Sequence, residues 1–228
     1  MTVTLITGAN KGLGYETARR LIADGQTVYM GARDADRGEA AASTLGGQFV
    51  QLDVTDDASV ESALRNIDDR EGRLDVLVNN AGVSSTGDVN GPVALQVFDT
   101  NAIGIIRVTQ AALPLLEKSE NPVVVNVSSA LGSFWAVTNP ERRQFHFPSI
   151  IYGASKAAVS MLTVQYAKTF PDMKFNAVEP GFTATELTPF SGAGQPVEQG
   201  AEVIVRMATI GKDGPTGTFQ EGNDELGW

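Results

Sequence analysis

Strand and helix alternate along the chain, so the sequence predicts an α/β fold: a doubly wound parallel sheet of about seven strands with helices on both faces. Three observations carry this. Short β-branched runs recur at regular intervals, stretches with helical spacing separate them, and no composition break, internal repeat or low-complexity tract interrupts the 228 residues. A single domain over 1–228 is the expectation.

The elements follow in order. "VTLIT" (3–7) is apolar and β-branched and stops at glycine, as a buried strand does. Residues 14–25 place Ala18, Leu21 and Ile22 on one helical side, with Gly25 as the stop. "TVYMGA" (27–32) is a second strand, 36–47 a helix ending in glycines, and "QFVQLDV" (48–54) a third strand. Residues 56–72 form a helix with acids at its start, where the dipole favours them. "LDVLVNNAG" (74–82) is a fourth strand, and 93–119 reads as one long helix, bent or ending near Pro114. Strands at 122–129 and 174–181, helices at 152–170 and 196–209, and a short strand at 217–222 complete the pattern. Two stretches break the rhythm: an insertion at about 132–151 and a loop at about 182–195. Both follow strand ends, where open α/β sheets bind their ligands.

Composition narrows the chemistry. The net charge of -10 argues against nucleic acid or an anionic membrane as the main partner. There is no cysteine and one histidine, which removes thiolate nucleophiles, disulfides and cysteine- or histidine-rich metal sites, so no metal is expected. No apolar run has the length of a bilayer span, and "MTVTLITGAN" has no basic segment leading into a signal-like stretch. A cytoplasmic location is the expectation.

"TGANKGLG" (7–14) lies between the first strand and the first helix, with Gly8, Gly12 and Gly14 spaced G-x-x-x-G-x-G. Glycines here allow a tight turn and close approach of backbone to a pyrophosphate, while the helix start offers N–H groups and a positive dipole end. The pattern points to a dinucleotide cradle in a Rossmann-type sheet; Asn10, Lys11 and Leu13 fall inside it.

With that loop in place the chain resembles the short-chain dehydrogenase/reductase family over essentially its whole length. The motifs are T-G-x-x-x-G-x-G (Thr7, Gly8, Gly12, Gly14), N-N-A-G (Asn79 to Gly82), Asn101 in the fourth helix, Ser129 at the end of the fifth strand, Y-x-x-x-K (Tyr152, Lys156) and P-G-x-x-x-T (Pro180, Gly181, Thr185). The resemblance implies an oxidoreductase that reduces a ketone or aldehyde to an alcohol. Tyr152 would be the general acid, Lys156 its activator and the holder of the nicotinamide ribose, and Ser129 the donor to the carbonyl oxygen, with Ser128 as its rival. Asn101 would distort its helix and hold a relay water. An ammonium one helical turn from a phenol is expected to lower the phenol's pKa.

The second strand ends "MGARD". Ala32 stands where an NAD-specific site carries an acid, and Arg33 follows. A guanidinium grips a 2′-phosphate with a bidentate fork, and Lys11 lies in reach, so NADPH/NADP+ is expected over NADH. By resemblance Asp53 and Val54 flank the adenine; a strand cap followed by a core valine is the alternative. Asn79, Ala81 and Gly82 border the adenosine ribose, and Asn79 also suits bracing the sheet. Pro180, Gly181, Phe182, Thr183 and Thr185 hold the nicotinamide carboxamide or the pyrophosphate.

Ser129 and Tyr152 stand 23 residues apart, more than in many family members. The additional segment carries Phe134, Trp135, Phe145, His146 and Phe147. These aromatics either line a substrate pocket or fold the insertion onto the helix. Ser129, Trp135, Phe147, Phe182 and Phe190 are the candidate pocket residues, suited to a hydrophobic small-molecule carbonyl or alcohol. A longer insertion at this place in monomeric carbonyl reductases makes a monomer or homodimer the expectation over the family's tetramer. The competing functional reading is a non-catalytic NADP(H)-binding sensor or regulatory protein on the same fold.

Overall fold

A computed structural model describes residues 1–84, 88–187 and 194–228. Its single sheet has eight strands in the order β3-β2-β1-β4-β5-β6-β7-β8. The strands are β1 (Val3–Thr7), β2 (Thr27–Ala32), β3 (Gln48–Gln51), β4 (Val76–Asn79), β5 (Val123–Val127), β6 (Lys174–Glu179), β7 (Phe219–Glu221) and β8 (Asp224–Glu225). All pairings are parallel except β7 with β8. The sequence reading of about seven strands thus gains a two-residue antiparallel edge, too short to show a periodic pattern. Connections run outward one way from β1 to β3 and the other way from β4 to β6, so a crevice opens between β1 and β4 at their carboxyl ends.

The eight helices are α1 (Gly12–Ala23), α2 (Ala35–Leu45), α3 (Asp57–Glu71), α4 (Gly91–Phe98), α5 (Gly104–Leu116), α6 (Phe134–Thr138), α7 (Ile150–Thr169) and α8 (Val197–Ala208), among the described residues. The strands read as unbroken apolar runs because both sheet faces are covered. In β5, Val123, Val125 and Val127 pack with Leu21, Ile204 and Met207 of α1 and α8. Val124 points the other way, into a cluster with Ile67, Val108, Leu116 and Tyr166 of α3, α5 and α7. Tyr166 stacks on Phe175 of β6 with ring centroids 5.3 Å apart, which anchors α7 to the sheet.

The long helix expected over 93–119 is interrupted earlier than Pro114. α4 begins after Asn90, whose side chain accepts from Val93 N at 3.0 Å. Residues Asp99–Ile103 then form a π-turn, and α5 continues beyond it with Pro114 in its last turns. The irregularity falls on Asn101 rather than on proline because Asn101 is drawn out of the regular pattern by partners on another segment.

The insertion holds a 3₁₀ turn (Ala130–Gly132), α6 and a second 3₁₀ turn (Arg143–His146). It is fastened to the carboxy-terminal residues: Ser133 Oγ donates to Gly227 O at 2.6 Å and Trp135 N to Trp228 O at 2.9 Å. The first 3₁₀ turn lies directly on α7. A Cβ on Gly132 would come within 2.4 Å of the Lys156 carbonyl carbon and 2.5 Å of Ala157 N, both backbone atoms that cannot swing away. Replacing Gly132 by alanine is therefore expected to lower stability by ~1–3 kcal/mol, read as the midpoint shift in urea denaturation, because the turn must lift off the helix.

Candidate active site

The glycine loop is built as a cradle. Gly8 (φ 65°) and Gly12 (φ 57°) take left-handed conformations, so the loop turns back beneath the start of α1. A Cβ on Gly14 would meet Asn80 Nδ2 at 2.5 Å and Gly8 O at 2.6 Å, so the helix is seated as close as glycine allows. Thr7 and Asn80 bind this loop to the end of β4: Asn80 Nδ2 donates to Thr7 O at 2.9 Å and Gly8 O at 3.1 Å, and Ala81 N donates to Thr7 Oγ1 at 2.9 Å. The amino end of α1 has no side-chain cap and no acid in its first turn, unlike α2 and α3, which Asp34 and Asp56 cap. Its amides remain available to an anion.

Asn10, Lys11, Tyr15, Arg37 and Glu186 line an open cleft of about 390 Å³ beside the loop. Arg33 is exposed just beyond β2. Arg37, overlooked in the sequence, lies four residues on and pairs with Asp34 at 2.9 Å. Asp34 is thereby held by its own helix turn, and Arg37's hydrogen bonds to it keep its carboxyl below the ordinary range. Lys11 pairs with Glu186 of the loop after β6.

Several expected cofactor contacts have structural work as well. Asp53 lies past the end of β3, and its Oδ1 accepts from Thr55 N at 3.0 Å and Thr55 Oγ1 at 2.7 Å. Val54 is buried against Gly104. Asn79 is 2% exposed and donates to Asn126 at 2.9 Å and Thr109 at 3.1 Å, so its side chain braces β4 against β5 and α5.

Asn101, Ser129, Tyr152 and Lys156 converge at the carboxyl ends of β4 and β5. Asn101 is fully buried; its Oδ1 accepts from Val83 N at 2.8 Å, and its Nδ2 donates to Val83 O at 2.9 Å and Ser155 Oγ at 3.0 Å. Ser155 in turn donates to Tyr152 O at 2.7 Å, linking the π-turn to the turn of α7 that carries the phenol. A Cβ on Gly82 would lie 3.4 Å from Asn101 Oδ1 and 3.6 Å from Lys156 Nζ, which locates the two groups around one point. Lys156 Nζ donates to Val127 O at 2.8 Å and sits 5.7 Å from the Tyr152 ring centroid.

The two serines divide their roles. Ser128 is buried and its Oγ donates to Lys156 O at 3.2 Å, a bond between β5 and α7. Ser129 is the one that acts on the Tyr152 phenol, lowering its proton affinity, while its Oγ accepts from Leu131 N at 3.3 Å. The next residue, Ala130, donates its N–H to Glu179, a buried carboxylate at the end of β6 that sequence reasoning passed over.

The expected depression of Tyr152 by Lys156 is not what the protein does by itself. Burial and the nearby Glu179 charge push the phenol up, and only the Ser129 hydrogen bond opposes them. Burial lowers Lys156 to about 8, with Glu179 acting against it. The ammonium is thus a weaker activator than helix spacing implies, since it is only partly charged above neutrality.

After β6, Gly181 takes φ 78°, and Gln195 ties the segment down: its Nε2 donates to Pro180 O, its N to Phe182 O at 2.8 Å, and its O accepts from Ala184 N at 3.0 Å. Thr183 is buried, and Thr185 lies against Gly12, closing the segment over the cradle. Of the pocket candidates, Phe182, in this segment, and Phe147, in the insertion, are exposed. The Trp135 ring packs on Gly227 with the Arg142 guanidinium 5.4 Å from its centroid, which fastens the insertion to the carboxy-terminal segment. Phe190 lies outside the described residues. His146 meets Phe145 edge-on at 5.1 Å in the insertion, away from the four converging residues.

A family model described as short chain dehydrogenase matches residues 2–195. Among curated sequences, the chain is 34% identical over 244 residues to a short-chain dehydrogenase/reductase (ATR10) of Stachybotrys chlorohalonatus, covering 96% of this chain and 87% of that one. It is 32% identical over 298 residues to (-)-isopiperitenone reductase of Mentha piperita, covering 94% of each. That alignment is longer than the 228-residue chain, so the mint protein carries inserted segments that are absent here. Among solved structures, salutaridine reductase from Papaver somniferum superposes with a TM-score of 0.84 at 29% identity, over 96% of this chain and 99% of that one. An NADPH-bound carbonyl reductase from chicken fatty liver shares the fold, with a TM-score of 0.86 at 24% identity and full coverage of both chains.

The low Lys156 value has a thermodynamic consequence. From about 8 up to its ordinary 10.5, the unfolded chain binds more protons at this position than the folded one. Stability therefore rises with pH across that window. Lys156→Met lacks this contribution. In urea denaturation at pH 7 and pH 9.5, wild type is expected to gain on Lys156→Met by about 1 kcal/mol or more at the higher pH.

Proposed function

Because the chain belongs to the short-chain dehydrogenase/reductase family, we propose that it is an NADPH-dependent reductase that converts a ketone or aldehyde to an alcohol, with Tyr152 as general acid. The observation that carries this reading is the convergence of Tyr152, Ser129, Lys156 and Asn101 beside an uncapped, glycine-lined helix start. A non-catalytic nucleotide sensor has no use for that convergence.

The residues fit the cofactor. The loop at Gly8, Gly12 and Gly14 leaves room for backbone to approach a pyrophosphate, and the first turn of α1 supplies free amides. Arg33, exposed after β2, suits a 2′-phosphate, Lys11 and Arg37 line the cleft beside the loop, and no carboxylate stands at Ala32 to repel one. When bound, the dihydronicotinamide supplies the hydride.

The chain's own groups do the rest. Ser129 donates its hydroxyl to the substrate oxygen and stabilises the charge that develops there. Tyr152 gives its phenolic proton to that oxygen as the alkoxide forms. Its high proton affinity keeps it in the acid form before reaction, and Lys156 stabilises the tyrosinate left afterwards. Asn101 keeps α4 and α5 bent around the Lys156 ammonium through Val83 and Ser155. Phe182 and Phe147 offer exposed apolar surface for a substrate, consistent with relatives named for isopiperitenone and salutaridine.

In a panel of ketones and aldehydes followed by NADPH absorbance, wild type is expected to turn over at least one hydrophobic carbonyl compound. Tyr152→Phe is expected to lose ~10²–10⁴-fold in kcat while NADPH still quenches tryptophan fluorescence at near wild-type concentration. Full turnover in that variant refutes the mechanism. Arg33→Ala is expected to raise the KM for NADPH at least ~10-fold and leave that for NADH within about twofold. Equal changes for both cofactors rule out the 2′-phosphate role.

A further inference from the structure

Glu179 closes β6 at the carboxyl edge of the sheet and is 6% exposed. Its two oxygens are fully engaged by the loops on either side. Oε2 accepts from Ala130 N, the residue after Ser129, and Oε1 accepts from Gly181 N at 2.7 Å. Two backbone N–H donors thus converge on an acceptor-only group and pin it between the two loops, which opposes the effect of burial on its charge.

The charged surroundings are defined on every side. On α7, Tyr152 and Lys156 are the titratable groups that feel the charge of the carboxylate. Across the β6–β7 ladder, Glu221 is the register partner of Glu179, and its charge is offset by Arg142 at 2.6 Å. Burial, the largest influence, holds the Glu179 carboxyl above the ordinary carboxylate range; the backbone donors at Ala130 and Gly181 offset this only in part, and the Glu221 charge adds to it. Lys156 is left as the cation that Glu179 serves, since Arg142 is already committed to Glu221.

We propose that Glu179 is a positioning residue of the reduction site: a fixed carboxylate that clamps the Ser129 loop to the Gly181 loop and supplies the counter-charge for the buried Lys156 ammonium. The inference rests on the carbonyl-reductase reading for its kinetic part. One group thereby joins the donor to the substrate oxygen, the segment assigned to the nicotinamide side and the activator of the phenol. The same charge favours the protonated forms of both Tyr152 and Lys156, which are the forms that reduction uses.

The sign of the test follows. Removing the charge lowers the proton affinity of Tyr152 and of Lys156 together, so the alkaline limb of kcat/KM for carbonyl reduction moves to lower pH. In E179Q that limb is expected about one pH unit below wild type. A purely structural role lowers kcat without moving it, and an unmoved limb overturns the proposal. Lys156 is also titrated directly, without turnover, by ¹³C NMR of lysine labelled at Cε, its resonance assigned by loss in Lys156→Met. Its midpoint is expected to fall in the order wild type, E179D, E179Q. If E179Q does not fold, E179D decides: a midpoint below wild type supports the counter-charge and an equal one overturns it. A wild-type protein that turns over no carbonyl compound removes the reductase reading, whereas the lysine titration still judges the charge pairing.

Discussion

Lys156 brings an ammonium to a point that is 4% exposed, where keeping it charged costs several kcal/mol unless donors and counter-charges are matched. Much of the surrounding structure follows from that constraint. The Val127 carbonyl at the end of β5 accepts a hydrogen bond from it, and the Glu179 charge on β6 favours its protonated form. Close packing then becomes necessary, because a carbonyl and a carboxylate act on a buried cation only at short range. Gly132 and Gly153 provide it: side chains at either would strike the backbone opposite, at Lys156 or Leu131. Ser128 sews the same contact by bonding to the Lys156 carbonyl.

Asn101 shows a related exchange of regularity for position. An α-helix running straight from Gly91 to Leu116 would carry its polar amide in an apolar environment with no partner. The π-turn instead presents both ends of the amide to the Val83 backbone and one N–H to Ser155. A buried amide without partners costs more than the local distortion, so the distortion is the lower-energy choice. Its effect is to register three distant stretches, the end of β4, the α4–α5 bend and the first turns of α7, around a single site.

The rim beside the glycine loop is electrostatically unusual for this chain. A net charge of -10 leaves few places where cations gather, yet Lys11 and Arg37 line this one and Arg33 is exposed just after β2. Arg37 and Lys11 already hold carboxylates, Asp34 and Glu186. Exposed pairs of this kind are worth little, so they give way readily to a more highly charged anion. Arg33 was readable because it follows a strand end directly. Arg37 was not, because its position on the rim depends on where α2 begins.

Local periodicity was enough for the alternation of strands and helices, since a strand buried on both faces must be apolar throughout and a covering helix must repeat its apolar side. The glycine loop and the Tyr152–Lys156 spacing were equally legible, because each is a constraint between residues a few positions apart. The short β8, the place of the helix bend and the fate of Trp135 were not. β8 has two residues, too few for a period, while the bend and Trp135 depend on partners far along the chain, Val83 and Gly227. The same holds for the acidity of the site. Sequence spacing showed an ammonium beside a phenol and implied a lowered pKa, but the sign depends on burial and on Glu179, which only the folded chain brings to Tyr152. Which residues are present, and how their backbone runs, was determined by sequence. The protonation they favour was decided by tertiary structure, because a charge responds to every group packed around it and to the water those groups exclude.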